Sequence, residues 1–192
     1  MTAMLLLQPD CMTAFSEKTA AVDFYQPGET DGIRIDLKQN ADRFSVFITS
    51  ERPLCYLRLR WRHPFDSATR FCGDAWERTY GNSQWRMADP ARLMPWYFFA
   101  EHDGRIEAFG VKVRPNAMAM WCSDPDGVTL WFDLRSGSHP VWLNGRTLEV
   151  GTVVSAVFDR CPAFDAAHRF CAMMCDDPLL PETPVYGSNN WY

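Results

Sequence analysis

The 192-residue sequence lacks the long apolar run that a membrane span or a secretion signal requires. Its first apolar run, Leu5 to Leu7, is too short for either role, and no basic segment precedes it. The sequence also lacks a regular cysteine framework, because its seven cysteines are odd in number and irregularly spaced. We therefore expect reduced thiols in a cytoplasmic protein that does not act on a membrane.

A basic stripe of the kind that binds nucleic acid is also missing. Nineteen basic residues stand against twenty-four acidic ones, which gives a net charge of −5. Residues 57–62 contain three arginines, but these alternate with leucine and tryptophan. That alternation is typical of the solvent face of a strand, so we expect no nucleic-acid partner.

Motifs of covalent catalysis and nucleotide binding are absent as well. No Gly-x-Ser-x-Gly elbow and no glycine-rich turn between a strand and a helix occurs. Cys72 precedes a glycine, but nothing in its sequence context indicates a base that would activate it. Asp124 and Asp126 form an acidic pair, which the intervening proline and Gly127 explain as a turn.

What the sequence does contain is a series of strand patterns separated by turn residues. Residues 33–38, 44–49 and 54–63 alternate apolar and polar side chains. Residues 94–102 form an aromatic strand, and Asp103-Gly104 predicts a tight hairpin to 105–113. A second hairpin joins 117–122 to 128–134, and Asn144-Gly145 predicts a third between 140–143 and 146–158.

Helical periodicity occurs only near the end, over residues 164–175. The expected apolar face contains Phe164, Ala167, His168, Cys171, Met174 and Cys175. His168, Cys171 and Cys175 could be zinc ligands, but one helix rarely presents three convergent ligands, and we favour core packing. The sequence thus predicts a mainly all-β, antiparallel sandwich with one short C-terminal helix.

The residues from Phe71 to Arg86 form a polar, aromatic segment that fits neither a strand nor a helix. This segment holds two tryptophans, a tyrosine, two acidic residues and two glycines. Aromatic faces next to planar charged groups suit a polar ligand with apolar faces, such as a sugar. The alternative is a structural loop whose tryptophans pack against the rim of a sheet.

Several segments together resemble the amino-terminal domain of α-galactosidase-like (melibiase-type, family 36-like) glycoside hydrolases. The first is Gly73-Asp-Ala-Trp-Glu-Arg-Thr-Tyr-Gly81 with Trp85-Arg86, and three more lie at 94–98, 110–116 and 128–135. The segment 184–192 is similar to the strand that opens the catalytic barrel of that family. The matches occur in family order over about residues 70–192, whereas the first sixty residues match only in strand character.

The resemblance implies an antiparallel β-supersandwich of the galactose-mutarotase-like type for residues 1–176. Residues 177–192 would then be a linker and the first strand of a truncated (β/α)8 barrel. The family hydrolyses terminal α-linked galactose with two aspartates of that barrel. This chain is therefore expected to carry no catalytic residue and to be inactive alone, with no cofactor and no metal.

By the same resemblance, a loop of the sandwich borders the sugar pocket of the barrel. The substrate-binding residues expected here are Asp74, Trp76, Glu77, Tyr80 and Trp85. The expected partners are an α-galactoside, bound through the parent active site, and the chain's own barrel domain, with a homo-oligomer possible.

Two further functions stay open at this point. The chain could be a self-sufficient carbohydrate-binding or scaffold module without a barrel. It could also be a small catalytic sandwich in which Asp74 and Glu77 serve as acid and base.

Overall fold

The computed structural model describes residues 8–17, 20–40, 42–76, 84–184 and 186–187. Within these ranges the chain forms thirteen strands in two antiparallel sheets, followed by one helix. The predicted fold, a mainly β antiparallel sandwich with one short C-terminal helix, is confirmed. Residues 185 and 188–192, which include most of the expected first barrel strand, lie outside the described part of the chain.

One sheet has six strands in the order β2-β1-β6-β12-β11-β8, and the other has seven in the order β3-β4-β5-β13-β10-β9-β7. The six-stranded sheet consists of β1 (Cys11–Phe15), β2 (Ala21–Phe24), β6 (Tyr56–Arg62), β8 (Met94–Pro95), β11 (Met118–Asp124) and β12 (Gly127–Asp133). The seven-stranded sheet consists of β3 (Gly28–Thr30), β4 (Ile33–Gln39), β5 (Arg43–Ser50), β7 (Arg70–Gly73), β9 (Tyr97–His102), β10 (Arg105–Val111) and β13 (Thr147–Asp159).

The alternating segments form strands as predicted. In β5, buried residues alternate with half-buried ones along all eight positions, and β6 follows the same rule until its exposed end at Arg62. The hairpins at Asp103-Gly104 and around Asp124 to Gly127 are also confirmed. Alternation predicts these strands well because their inner face is buried between the sheets and their outer face is more open.

The third predicted hairpin is wrong in its first strand. The turn at Asn144-Gly145 forms, with a positive φ at both residues. However, β13 pairs with β5 and β10, whereas Val141 makes only an isolated bridge to Leu54. Pro140, which has no N–H to donate, stands at the start of this short segment and disfavours its pairing as a ladder strand.

The aromatic strand predicted over 94–102 is divided between the two sheets. Met94 and Pro95 pair with β11, whereas Tyr97 and the residues after it pair with β10 and β7. Between them Trp96 has a φ of 65°, a left-handed conformation that breaks the strand. An apolar run without alternation gives no signal for such a break.

The helix α1 (Ala163–Met174) packs on the outer face of the seven-stranded sheet, opposite the main core. Its buried residues are Ala166, Phe170 and Met174, which differ from most of the predicted face. Phe164, for example, is 79% exposed. The packing is close because β10 presents Gly110, where a Cβ would lie 2.7 Å from the sulfur of Met174.

The predicted core packing of the helix cysteines and histidine is wrong for two of the three residues. His168 and Cys171 are exposed, and Cys175 is half-buried. The zinc alternative gains no support either. In the described ranges, no group of three or more His, Cys, Asp or Glu side chains could hold a metal ion.

None of the helical residues that the structure describes belongs to a helix of sufficient length and apolarity to cross a bilayer.

Candidate functional site: the Asp74 groove

The aromatic loop starts and ends at one edge of the seven-stranded sheet. It leaves the sheet after β7 and returns at Arg86, which pairs with Phe71 through two backbone hydrogen bonds of 2.6 and 2.9 Å. Such a closed base fixes the positions at which the loop leaves and rejoins the sheet. The residues next to the base, Asp74 and Trp85, are therefore held by the sheet.

The first turn of the loop is tightly packed against the rest of the domain. A Cβ added at Gly73 would lie 2.6–2.8 Å from three side-chain atoms of Met94, so the backbone approaches Met94 in a way that only glycine allows. The next residue, Asp74, donates its N–H to the carbonyl oxygen of Tyr97 at 3.2 Å. Its carboxylate Oδ1 accepts a 2.9 Å hydrogen bond from the N–H of Ala75.

The guanidinium of Arg92 joins the two ends of the loop. It donates to the carbonyl oxygen of Phe71 at 3.0 Å and to that of Gln84 at 3.3 Å. Burial lowers the pKa of Arg92 from its ordinary value and raises that of the neighbouring Cys72 thiol. The raised thiol pKa keeps Cys72 protonated, which agrees with the absence of a sequence signal for a reactive cysteine.

Two hollows lie on either side of Asp74, and together we call them the Asp74 groove. The larger hollow, of about 420 Å³, lies between the loop base and α1 and is lined by Asp74, Trp85, Tyr97 and Ala167, among others. The smaller one, of about 280 Å³, is lined by Asp74, Trp96, Tyr97, Val111, Arg114 and Met174, among others. Asp74 and Tyr97 belong to both hollows, so they form the centre of the groove.

Two of the seven described non-glycine residues with a positive φ lie beside the smaller hollow. Trp96 and Arg114 both line it, and both have a positive φ, of 65° and 61°. For residues that carry a Cβ, this conformation costs on the order of 1 kcal/mol. Strain of this kind persists where the surrounding structure needs a side chain in a particular place, and it is frequent at binding sites.

The groove combines one buried acidic group with one open basic group. Asp74 is only 6% exposed, whereas Arg114 is exposed at the rim. In the described part of the chain, no carboxylate lies within ion-pair distance of the Arg114 guanidinium. The groove therefore offers an acceptor at its floor, a donor at its rim and aromatic side chains along its walls.

The predicted site residues are only partly brought together. Asp74 and Trp85 line the larger hollow, and Trp85 packs against the cluster around α1. Trp76 is 52% exposed, two residues beyond Asp74. Glu77 and Tyr80 lie outside the described residues, so their predicted roles stay predictions.

The sequence did not reveal the contributions of Tyr97 and Arg114. Tyr97 lies in an apolar run that predicts only a strand, and Arg114 follows β10 in a segment with no ligand-binding motif.

Asp124 and Asp126 form the turn that was predicted. The side chain of Asp124 accepts a 2.9 Å hydrogen bond from the N–H of Asp126. It also forms two hydrogen bonds of 2.7 and 2.8 Å with Arg60. The Arg60 hydrogen bonds lower the pKa of Asp124, which keeps this carboxylate ionised and unsuited to serve as a general acid.

No family model matches the chain, and no curated protein matches it.

Proposed function

We propose that this chain is a non-catalytic sandwich domain of an α-galactosidase-like glycoside hydrolase, and that the Asp74 groove and its loop form part of the rim of the sugar pocket. The family assignment in this proposal rests on the motifs between residues 70 and 192. The role of the groove rests on the shared lining of its two hollows by Asp74 and Tyr97.

The chemistry of the groove supports a sugar as its ligand. A pyranose has hydroxyl groups that both donate and accept hydrogen bonds, and its ring has faces of C–H groups that pack on aromatic side chains. Asp74 supplies acceptors and Arg114 supplies donors, while Tyr97 and Trp85 supply aromatic surface. Charge-assisted hydrogen bonds from such groups are about twice as strong as neutral ones.

The exposure of Trp76 supports its role at the rim. Its side chain is half exposed, although it lies only two residues from the buried Asp74. An exposed indole at this position offers an aromatic face on which the C–H face of a pyranose can pack. In this proposal Trp76 stacks on a sugar that Asp74 holds by hydrogen bonds.

One observation favours a second candidate, a carbohydrate-binding module that works without a barrel. Several separate parts of the fold, the loop base, β9, β10 and α1, together line the two hollows. A site built within one chain can bind a ligand without help from a neighbouring domain. The two candidates differ in affinity, because a rim alone provides only part of the contacts.

Calorimetric titration of the purified chain with methyl α-D-galactoside tests the proposal. We expect measurable binding that Trp76→Ala weakens about two- to thirteenfold, since an aromatic contact contributes roughly 0.5–1.5 kcal/mol. The matched control is Trp142→Ala, because Trp142 is exposed to a similar extent, 56%, and lies outside both hollows. If neither variant changes binding, or if both do so equally, the groove is not the site.

A second assay separates the candidates. The purified chain is incubated with p-nitrophenyl α-D-galactoside, and the release of nitrophenol is followed. The proposal expects no release, and tight binding without hydrolysis would favour the self-sufficient module. Hydrolysis that Asp74→Asn abolishes would instead support the small catalytic sandwich.

A further inference from the structure

A second cavity lies where the two sheets meet, away from the Asp74 groove. It has a volume of about 180 Å³, and we call it the His63 cavity after the residue that follows β6. Its lining residues are His63, Pro64, Phe65, Asp66, Thr69, Ala100, His102, Arg105 and Glu107. His63 comes from the six-stranded sheet and Glu107 from β10 of the seven-stranded sheet, so the cavity is walled by both.

A histidine–glutamate pair forms one wall of the cavity. His63 Nε2 lies 2.6 Å from Glu107 Oε2, and the other oxygen, Oε1, accepts a 3.1 Å hydrogen bond from Arg105 Nε. The Glu107 side chain is 15% exposed and that of His63 is 22% exposed. Both oxygens of Glu107 are therefore occupied, and His63 is held with its Nδ1 atom as the remaining polar group of the ring.

The Thr69 hydroxyl is the feature that points to a ligand. Thr69 lines the cavity and is only 4% exposed. In the part of the chain that the structure describes, its side-chain oxygen has no hydrogen-bond partner. In the described part of the chain, this oxygen is not among the fully buried side-chain atoms without a partner, so it is accessible from the cavity. A bound molecule can therefore form a hydrogen bond with the Thr69 hydroxyl.

The charges around the cavity select the type of ligand. Glu107 and Asp66 disfavour an anion, and Arg105 disfavours a cation. Hydroxyl groups suit the site better, because each can donate to His63 and accept from Thr69. Phe65, Pro64 and Ala100 provide an apolar wall against which the C–H face of a ring can pack.

The volume selects the size of the ligand. Pockets for drug-sized molecules usually exceed about 300 Å³, and a water molecule takes about 30 Å³ of liquid volume. The His63 cavity, with about 180 Å³, is therefore of the size that holds one small ring.

We propose that the His63 cavity binds a single neutral polyhydroxylated ring, such as a monosaccharide or a cyclitol, with His63 and Thr69 as its hydrogen-bonding groups and Phe65 as its apolar wall. Glu107 and Arg105 act as positioning residues. Glu107 holds the His63 ring, and Arg105 in turn holds the Glu107 carboxylate.

The two sites lie on opposite faces of the same strand. Phe99 of β9 lines the Asp74 groove and packs with α1, whereas the next residue, Ala100, lines the His63 cavity and belongs to the main core. Binding in the His63 cavity is thus independent of the proposed function, and each site can be tested in the presence of the other.

The test uses NMR of the isotopically labelled full chain, with D-galactose, D-glucose and myo-inositol as probes. The imidazole resonances of His63, assigned with His63→Gln, report the cavity, and the indole resonance of Trp76 reports the groove. We expect at least one probe to shift the His63 resonances in a saturable manner. Acetate, which Glu107 and Asp66 disfavour, serves as the anionic control.

Variants at Thr69 test the role of its hydroxyl. Thr69→Val keeps the shape of the side chain and should weaken the ligand affinity measured from the His63 resonances about tenfold. Thr69→Ser, which keeps a hydroxyl group, should retain most of that affinity. Thr147→Val is the matched control, because Thr147 is an exposed strand residue whose hydroxyl pairs with Thr49. Asp74→Asn should leave the ligand-induced shifts of the His63 resonances unchanged, because Asp74 lines the other site.

The outcomes separate the two proposals. If no probe shifts the His63 resonances, the cavity is not a ligand site, whatever Trp76 does. If a sugar shifts Trp76 alone, the proposed function stands and the present inference is wrong. If acetate shifts His63 as strongly as the neutral rings, the charge argument is refuted.

Discussion

Replacing Gly110 by alanine should separate α1 from the sheet and disturb the Asp74 groove. A Cβ at this position would lie 2.7 Å from Met174 Sδ and 2.9 Å from Phe170 Cε1. Both residues are buried, and Met174 lines the smaller hollow of the groove. The helix must therefore move outward, or the two side chains must leave their packed positions.

The size of the effect follows from overpacking. An extra carbon atom in a close-packed site costs about 1–3 kcal/mol, and about 2 kcal/mol is expected here because Phe170 is fully buried. For a chain of this length, that loss lowers the melting temperature by about 4–8 °C. Urea unfolding followed by circular dichroism measures it directly.

A control variant and a double variant test whether the clash at Gly110 causes this loss of stability. Gly28→Ala is the control, since nothing lies within 4 Å of its Cβ position, and its stability should stay within about 0.5 kcal/mol of the original. In Gly110→Ala combined with Met174→Ala, the two losses should add only in part, because removal of the Met174 side chain relieves the contact at 2.7 Å but leaves the one with Phe170 at 2.9 Å. If Gly110→Ala alone is as stable as Gly28→Ala, the described contact between α1 and β10 is incorrect.

Two other perturbations test the remaining parts of the account. Burial raises the pKa of Glu107, but the hydrogen bonds and charges of His63 and Arg105 lower it more, so that its folded value lies below the ordinary one. The contribution of Glu107 to the free energy of unfolding is therefore complete above about pH 4.5 and is lost as the pH falls through its lower pKa in the folded state. Urea unfolding from pH 3 to 7 should show this loss of stability, and the Glu107→Gln variant should lack that part of the pH dependence. Gly73→Ala should destabilise the chain by about 1–3 kcal/mol and increase proteolysis of the loop. The reason is that the Met94 Cβ atom, only 2.8 Å from the new carbon, cannot move away by a rotamer change. A variant loop as resistant to proteolysis as the original would contradict the tight packing at its base.

The sequence predicts strands best where burial differs between their two faces. β5 and β6 keep an alternating pattern because one face lies in the core and the other is more open. The segment 94–102 failed as a single strand because it is apolar throughout, and the break at Trp96 depends on which sheet each half joins. That choice is made by contacts with distant strands and leaves no local pattern.

The helix shows a different limit of sequence reasoning. Its existence follows from its periodicity, but its buried face was misplaced because Phe164, His168 and Cys171 are similar in polarity to buried residues. The true face is selected by Gly110 on β10, which allows Phe170 and Met174 to approach the sheet closely. The orientation of the helix therefore depends on a strand that lies outside the helical segment and leaves no signal in its sequence.

The sequence allowed a prediction only for those site residues that lie close together along the chain. Asp74, Trp76 and Trp85 could be selected because they lie in one aromatic loop. Tyr97 and Arg114 come from other elements and join Asp74 only after β7, β9 and β10 have assembled. The His63 cavity was missed for the same reason, since His63 and Glu107 are 44 residues apart and belong to different sheets.

The claim that the Asp74 groove binds a galactoside is tested most directly by the indole resonances of the labelled chain during titration with methyl α-D-galactoside. The account predicts saturable shifts of Trp76 and Trp85, no shift of Trp142, and loss of the shifts in Asp74→Asn. Unchanged resonances of Trp76 and Trp85 at the highest sugar concentration, or equal shifts of all three tryptophans, would contradict it.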